Sequence, residues 1–308
     1  MADVTDVVFR KMISKYSRTG QASGGPDVMW TEFVSADGLC SPGREVLKRD
    51  LEYAEVERPV VAQLFTSNPE NMYNAVKYCR ELGFDGVDIN MGCPVDIIGN
   101  QGAGAKLITT PDLAVEIVRA AQSAAGDMPI SVKTRIGWNK IEYREWLGAI
   151  LKCDLPVLTV HLRTRKEMSL VDAHWELASE IGDFIKSVSP NTIYIANGDV
   201  KDLADAKNKW ENTNIDGVMI GRGVFGSPWL FDWNGVTPDL KQKLQIMLEH
   251  TKLYEETLGD IKSFSVMKKH YKAYVNGFAG AKELRERLFE CKDYQEVLQC
   301  TNEFLSKI

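Results

Sequence analysis

The chain has 308 residues, of which 44% are hydrophobic and 26% charged, and its formal net charge at pH 7 is -6. This composition is typical of a globular protein, and the length suits one large domain or a barrel with a smaller second domain. The acidic balance gives no overall argument for nucleic-acid binding, and no apolar run approaches the roughly 18 residues that a membrane helix needs.

Short β-rich segments alternate with amphipathic helical segments from the N-terminus to about residue 235. Alternation at this spacing predicts βαβ units and a parallel sheet. A helix is predicted over 5–16, and seven strands follow at 27–33, 60–65, 86–91, 130–135, 157–162, 192–196 and 217–220. Further helices are predicted between them at 69–82, 111–124, 143–152, 175–187 and 201–210. Seven strands are one short of a (β/α)8 TIM barrel, so we expect an α/β barrel whose first strand is truncated and would precede residue 1.

A turn-rich segment over 234–238 ends the alternation, and the remaining sequence has apolar residues at helical spacing. We therefore predict a barrel domain over 1–236 and a C-terminal all-helical domain over 237–308. Between residues 262 and 287 the chain carries seven Lys or Arg side chains against two acidic ones. A lysine-bearing helix is by itself most simply a solvated face.

The cysteines and the N-terminus indicate the compartment. Asp3 and Asp6 interrupt any signal-peptide pattern. The six cysteines include no CxxC pair, which argues against a zinc site and a disulfide framework and favours a reducing cytoplasm. We expect a cytoplasmic protein with no bound metal and no membrane segment.

Polar or charged residues stand at six consecutive predicted strand ends. Functional groups of parallel barrels project from this end of the strands. One such residue is more often structural, but six in barrel order indicate a site. They are Gln63; Asn90 with Cys93; Lys133 with Arg135; His161 with Arg163 and Arg165; Asn197 to Asp199; and Gly221 to Gly223.

The groups after the last two strands suggest a phosphate site. Gly198, Gly221 and Gly223 follow the strands where such barrels often bind phosphate through backbone N–H groups, and Arg222 can pair with phosphate oxygens. Gln63 offers an amide to the edge of a planar heterocycle, and Lys133 offers positive charge beside a ring that is reduced. Together these residues fit FMN.

Cys93 lies on a glycine-rich loop directly after the predicted buried strand at 86–91, and Pro94 ends that strand. The thiol is either a small buried side chain or a proton donor, because flavin reduction of a C=C bond needs a proton on the second carbon. His161 is either a flavin or substrate contact or a core histidine.

Several motifs, in order along nearly the whole chain, resemble those of the tRNA-dihydrouridine synthases. They are residues 1–6, Asn90-Met91-Gly92-Cys93-Pro94, 102–105, Lys133-Thr134-Arg135, His161 to Arg165, Asn197-Gly198-Asp199, Gly221-Arg222-Gly223, and Lys268-Lys269-His270 with Tyr274. The resemblance implies an FMN-binding barrel, a helical tRNA-binding domain, and NADPH-dependent reduction of the uracil C5–C6 bond.

The resemblance also implies roles for individual residues. The cysteine at the position of Cys93 protonates C5 while reduced flavin gives hydride to C6, and Asn90 contacts the target uracil. The matching flavin-binding positions are Met1, Ala2, Gln63, Lys133, His161, Asn197, Gly198, Asp199, Gly221 and Arg222. A flipped-out uridine needs contacts to its flanking phosphates, for which the candidates are Arg135, Arg163, Arg165, Lys268 and Lys269.

Two other functions remain open at this point. The chain could be an FMN-dependent reductase or dehydrogenase of a small pyrimidine or enone, although such an enzyme has no use for a basic helical domain. It could also be a non-catalytic RNA-binding module, which would not need Cys93, Lys133 and the phosphate site together. We expect a monomer, and the sequence does not indicate which uridine is reduced.

Overall fold

The computed structural model describes residues 4–307, which form two compact units. The first, here called the sheet unit, comprises residues 28–53 and 58–223. The second, here called the helical unit, comprises residues 4–27, 54–57 and 224–307 of the described chain. The predicted Met1 and Ala2 contacts lie outside the described residues.

The sheet unit is built on seven parallel strands that pair in sequential order, β1 to β7. Parallel neighbours in chain order, each joined by a crossover that carries helix, are the pattern of a TIM-type barrel. The eighth strand, which we expected before residue 1, stays a prediction. The strands are β1 Met29–Ser35, β2 Val60–Phe65, β3 Gly86–Met91, β4 Ile130–Arg135, β5 Val157–His161, β6 Ile193–Asn197 and β7 Gly217–Met219.

The helices of the sheet unit pack on one face of the sheet. Side chains from alternate strand positions, such as Ile89 and Val132, join helix residues such as Ile117 in one buried apolar cluster. Asn68 begins the first helix by accepting from the N–H groups of Glu70 and Asn71. The helices are α2 Pro69–Glu81, α3 Pro111–Ala125, α4 Tyr143–Leu151, α5 Ala178–Val188 and α6 Leu203–Glu211, numbered after the N-terminal helix α1, Val7–Tyr16.

The opposite strand positions carry the polar residues. Strand pairing aligns Gln63 with Asp88 and Asp88 with Ser131, and aligns Asn90 with Lys133. A third row pairs Arg135 with His161. Because side chains alternate between the two faces of a strand, these rows project from one face of the sheet. This polar face comprises Gln63, Asp88, Asn90, Ser131, Lys133, Arg135, Thr159, His161 and Asn197.

The helical unit consists of α1 and four C-terminal helices. Asp239 begins the first of these with a reciprocal capping arrangement, in which its carboxylate accepts from the Gln242 N–H and the Gln242 side chain accepts from the Asp239 N–H. The unit is held in part by a buried ion pair between Arg10 and Glu57, whose Nε–Oε2 distance is 2.6 Å. The four helices are α7 Leu240–Leu258, α8 Met267–Tyr274, α9 Ala281–Glu290 and α10 Tyr294–Leu305.

The compact units divide the chain differently from the predicted domains. Residues 4–27 and 224–236 group with the C-terminal helices, whereas the sequence predicted one domain over 1–236. One reason is that α1 is amphipathic and buries Phe9 against His250 and His270 of the helical unit. The functional division into a catalytic domain and an RNA-binding domain stays a prediction.

Candidate active site

Three polar side chains on the polar face form a hydrogen-bonded chain that ends at the Cys93 loop. The buried Asp88 carboxylate accepts from Gln63 Nε2 at 2.7 Å. Gln63 Oε1 accepts from Asn90 Nδ2 at 3.0 Å. Asn90 Oδ1 in turn accepts from the N–H groups of Gly92 and Cys93 at 3.1 and 2.9 Å. The structure thus brings together the predicted Gln63, Asn90 and Cys93.

The Cys93 thiol is held on a partly buried loop directly after β3. Burial raises the pKa of Cys93 above its ordinary value, although the Val95 N–H and the nearby cations Arg135 and Lys133 oppose that shift. The thiol therefore stays protonated at neutral pH. A protonated thiol at a strand end has a proton to donate.

Lys133 projects from the middle row of the polar face. Burial, followed by the positive charge of Arg135, lowers the pKa of Lys133 to about 8, while Asp88 has the opposite effect. Within residues 4–307 the Lys133 ammonium makes no hydrogen bond or ion pair. A desolvated cation without such a partner suits a ligand that gains negative charge beside it.

His161 is a neutral imidazole surrounded by cations. Burial lowers its pKa far below the ordinary value, and the charges of Lys133, Arg135, Arg163 and Arg222 lower it further. Arg163 Nη1 lies 3.2 Å from His161 Nε2, so the neutral ring accepts there and carries its proton on Nδ1. Four positive side chains around one histidine make the end of this sheet strongly electropositive.

Asp199, which follows β6, connects Arg163 after β5 with Arg222 after β7. Its Oδ2 accepts from the buried Arg163 and, at 3.0 Å, from the Ala173 N–H. Its Oδ1 accepts from Arg222 Nη2 at 2.9 Å, and the Arg222 side chain is 63% exposed. Burial raises the pKa of Asp199, but the Ala173 and Arg163 hydrogen bonds outweigh it and hold the pKa below its usual value.

A cavity of about 790 Å³ opens beside this arginine pair. The glycines around it allow close backbone approach. Gly198 has φ +135°, and a Cβ there would lie 2.7 Å from Ala173 Cβ. A Cβ on Gly223 would lie 2.6 Å from the Lys201 carbonyl oxygen, whereas one on Gly221 would meet nothing within 4 Å. The cavity is lined by Arg163, Ser169, Leu170, Val171, Asp172, Asp199, Val200, Lys201, Arg222 and Gly223.

Arg135 and Arg165 are predicted substrate contacts, and in the structure both are engaged with other groups of the protein. Arg135 is 5% exposed, and its guanidinium donates to the carbonyl oxygens of Gly92, Thr164 and Met168. This arrangement joins the Cys93 loop to the loop after β5 and uses three of the five N–H donors of the guanidinium. Arg165 pairs with Asp96 and lies over the Trp138 ring, 4.7 Å from its centroid. Their roles as RNA contacts stay predictions.

The remaining predicted residues occupy two places. Asn197 ends β6 and donates its Nδ2 to the Met219 carbonyl oxygen at 2.8 Å, which fixes the ends of β6 and β7 together. Lys268 and Lys269 lie on α8 of the helical unit, and both side chains are exposed. The buried His270 beside them shows that this motif has one inward and two outward residues.

Sequence reasoning missed several contributors to this site. Asp88 stands inside an otherwise apolar strand, and a carboxylate there was the available signal. Lys201, Ser169 and Asp172 line the cavity but come from loops with no local motif. Trp138, which packs against Arg165, carries no sequence signal of its own.

Two structural observations concern membranes and metal ions. None of the helices within residues 4–307 combines the length and apolar character needed to cross a membrane. The same residues contain no group of three or more His, Cys, Asp or Glu side chains arranged to hold a metal ion.

Comparison with known proteins identifies the family. The family model described as "Dihydrouridine synthase (Dus)" matches residues 1–308. The chain belongs to the dihydrouridine synthase family. It is 40% identical over 310 residues to a probable tRNA-dihydrouridine synthase 2 of Bacillus subtilis, covering all of this chain and 93% of that protein. It is 39% identical over 307 residues to a probable tRNA-dihydrouridine synthase of Staphylococcus aureus, covering 99% and 91%.

Solved structures support the fold of this dihydrouridine synthase. A variant of morphinone reductase in complex with tetrahydroNAD is 12% identical with a TM-score of 0.51, covering 78% of this chain and 86% of that one. A 2-naphthoyl-CoA reductase complex is 11% identical with a TM-score of 0.53, covering 89% and 55%. Identities this low show the fold alone, and the predicted TIM-barrel class with C-terminal helices is confirmed.

Dihydrouridine synthases are flavin-dependent oxidoreductases, and the residues present fit a flavin. Lys133 offers a partly buried cation without a hydrogen bond or ion pair in the described residues, and Arg222 offers an exposed guanidinium beside a cavity. The neutral His161 and the amide of Gln63 offer hydrogen bonds to a heterocycle. This donor set combines anion recognition with a polar edge contact, which a flavin nucleotide needs.

Proposed function

We propose that this protein reduces the C5–C6 bond of specific uridines in tRNA to 5,6-dihydrouridine, with FMN as cofactor and NADPH as electron donor. Family membership and the names of the relatives support the reaction. The observation that carries the proposal for this chain is the arrangement of a protonated Cys93 thiol, an electropositive face and an arginine-bordered cavity within one sheet unit. The choice of NADPH rests on the family resemblance.

The flavin nucleotide is proposed to lie along the polar face. Arg222 and the backbone around Gly221 and Gly223 would hold its phosphate, with Asn197, Gly198 and Asp199 shaping that end. Arg163 stays a proposed substrate contact. Gln63, Lys133 and His161 would contact the ring, as would Met1 and Ala2 by the family resemblance. When bound, the reduced flavin supplies the hydride for C6 of the uracil.

Cys93 is proposed to hold the proton that C5 receives. The raised thiol pKa keeps that proton in place at neutral pH. Asn90 fixes the loop by accepting from the Cys93 N–H, and its second Nδ2 hydrogen is available to a uracil carbonyl oxygen. Arg135 holds the same loop from its other side through the Gly92 carbonyl oxygen.

The names of the relatives support tRNA as the proposed partner. A uridine within folded RNA must leave its stack to reach this face. The exposed Lys268 and Lys269 on α8 are the proposed phosphate contacts of the helical unit. The proposed location is the cytoplasm, because all six cysteines are free thiols. The proposed assembly state is a monomer.

The first test is the absorbance spectrum of the purified protein during anaerobic turnover. We expect a flavin spectrum that bleaches with NADPH and recovers when unmodified tRNA is added. Recovery with a free pyrimidine but not with tRNA would support a small-molecule reductase instead. A protein that binds tRNA but no flavin would indicate a non-catalytic RNA-binding module.

The role of Cys93 is tested by Cys93→Ala, with Cys40→Ala as the matched control on a half-buried cysteine of the same unit. We expect Cys93→Ala to slow tRNA-dependent flavin reoxidation by about 10² to 10⁴-fold. The rate of flavin reduction by NADPH should stay unchanged. Equal slowing of both half-reactions would contradict the proton-donor role.

The role of the helical unit is tested by Lys268→Ala with Lys269→Ala. The control pair is Lys241→Ala with Lys252→Ala, which removes the same charge from exposed positions on α7. We expect weaker tRNA binding and a slope of log K against log salt that is shallower by roughly 1 to 2. The same slope in both double variants would refute a specific phosphate contact on α8.

A further inference from the structure

The polar face contains a buried carboxylate that the proposed mechanism does not use. Asp88 lies in the middle of β3, 0% exposed, on the same side as Asn90. Its Oδ1 accepts from Ser131 Oγ at 2.6 Å, and its Oδ2 accepts from Gln63 Nε2 at 2.7 Å. Burial raises the pKa of Asp88 to about 6, against the lowering effect of those two hydrogen bonds. The group is therefore mainly an acceptor at neutral pH.

An acceptor at this position determines which way two amides point. Because Asp88 takes the Gln63 NH₂ group, the Gln63 oxygen must face Asn90. The Asn90 NH₂ group must then face Gln63, which turns Asn90 Oδ1 toward the N–H groups of Gly92 and Cys93. A flipped Gln63 would either place two NH₂ groups against each other or, if Asn90 flipped with it, turn the Asn90 NH₂ group toward the Cys93 N–H.

We infer that Asp88 is a positioning residue for Cys93, acting through the ordered amides of Gln63 and Asn90. Asp88 touches neither the thiol nor the loop. With Asp88 in place, the Asn90 amide has one favourable orientation, in which Oδ1 accepts from the Cys93 N–H. The consequence for catalysis rests on the proposed role of Cys93, but the positioning itself does not.

The structure supplies variants that separate this role from simple core packing. Asp88→Leu has a similar shape and no acceptor, so it releases the Gln63 amide. Asp88→Asn accepts from Gln63 with its oxygen and donates to Ser131 Oγ, so it keeps the amide order. Ser131→Ala removes a hydrogen bond from the same carboxylate on the side away from the amides, and it is the matched control.

The measurement is the rate at which iodoacetamide alkylates each cysteine, resolved by peptide mass spectrometry. Cys93 is partly buried, whereas Cys79 is fully buried in the same unit. Cys79 therefore reports unfolding. We expect Asp88→Leu to speed alkylation of Cys93 by roughly five- to tenfold, the effect of losing one net hydrogen bond from the loop, with Cys79 still protected. Asp88→Asn and Ser131→Ala should stay within about twofold of the parent rate.

A double-substitution cycle tests the route. Gln63→Met interrupts the chain at its middle and should speed Cys93 alkylation as much as Asp88→Leu does. The two together should give no further increase, because both act through Asn90. The inference would be overturned if Asp88→Leu and Gln63→Met multiplied each other's effect on the Cys93 alkylation rate. It would also be overturned if Ser131→Ala sped that alkylation as much as Asp88→Leu does. If Asp88→Leu unfolds the protein and exposes Cys79, the alkylation rate of Cys93 in Gln63→Met becomes the test. A parent-like Cys93 rate in Gln63→Met would then overturn the inference.

The same variants distinguish this inference from the proposed function. In the flavin-loaded enzyme, Asp88→Leu should slow tRNA-dependent reoxidation more than it slows reduction by NADPH, with recovery in Asp88→Asn. Faster alkylation with unchanged reoxidation would keep the positioning role and remove Cys93 from the proton transfer. Unchanged alkylation would remove the positioning role whatever the activity.

Discussion

The helical unit contains a pair of buried histidines that should make it sensitive to acid. His250 and His270 are both 0% exposed, and their ring centroids lie 4.5 Å apart. Neither ring nitrogen of His270 has a hydrogen-bond partner within the described chain. Burial, followed by the charge of Lys269, lowers the pKa of His270 to about 3, and burial with the His270 charge lowers the pKa of His250 well below 6.5.

The sign and size of the effect follow from proton linkage. Both histidines are neutral in the folded protein at pH 5, while the unfolded chain with a pKa of about 6.5 binds a proton at each. The stability that the neutral rings retain above about pH 6.5 is therefore lost as the pH falls. From pH 7.5 to pH 5 each histidine should lower the free energy of unfolding by about 2 kcal/mol, at about 1.4 kcal/mol per pKa unit.

The assay is hydrogen exchange of peptides from α7 and α8, converted to free energies of unfolding at pH 7.5 and pH 5. We expect His270→Leu to reduce the pH-dependent loss by about half, since one of the two histidines is removed. The control is His174→Gln in the sheet unit. The carboxylates of Glu167 and Glu176 outweigh burial there and raise the pKa of His174. A His270→Leu variant with the full parental loss would refute the reasoning.

Three further predictions concern other parts of the molecule. Gly198→Ala should lower the free energy of unfolding, measured in urea, by about 2–4 kcal/mol, because φ is +135° there and the new Cβ would lie 2.7 Å from Ala173 Cβ. A loss below about 1 kcal/mol would contradict the contact. Arg10→Met should cost about 3–5 kcal/mol by leaving the Glu57 carboxylate buried and unpaired, and thermal unfolding should show partial recovery on adding Glu57→Gln. Lys133→Met should lower the midpoint potential of the bound flavin, measured by dye equilibration. The parent potential should fall more steeply above about pH 8, where Lys133 loses its proton, and a parent-like potential in the variant would exclude Lys133 as the charge beside the ring.

The polar face could be predicted because it depends on local rules. Strand periodicity places Lys133 and Arg135 on one side of β4, and strand ends in a parallel barrel meet at one edge. The direction of the Arg135 guanidinium could not be predicted, because its carbonyl partners lie 29 to 43 residues away in sequence. Spacing alone showed a row of cations at the strand ends, without showing which of them the backbone already occupied.

The grouping of α1 with the C-terminal helices could not be predicted from the sequence either. An amphipathic segment at 7–16 indicates that one face is buried, but not which apolar surface covers it. The partner surface comes from His250 and His270, more than 230 residues later. His270 stands in a basic motif with two exposed lysines. The composition of this motif therefore suggested a solvated face, although His270 is part of the core.

The shared carboxylate of Asp199 has a consequence for ligand choice. It pairs with the buried Arg163 and with the exposed Arg222, and only the Arg222 pair would be open to displacement by an anion from solvent. Because the arginines are ordered in advance, little conformational entropy is lost on binding. At the proposed phosphate site, binding would then be an exchange of one anion for another, in which a doubly charged phosphate would outcompete the carboxylate and an uncharged hydroxyl would not. Discrimination between a phosphorylated cofactor and its dephosphorylated form would thus arise from competition inside the protein rather than from any contact made to the phosphate alone.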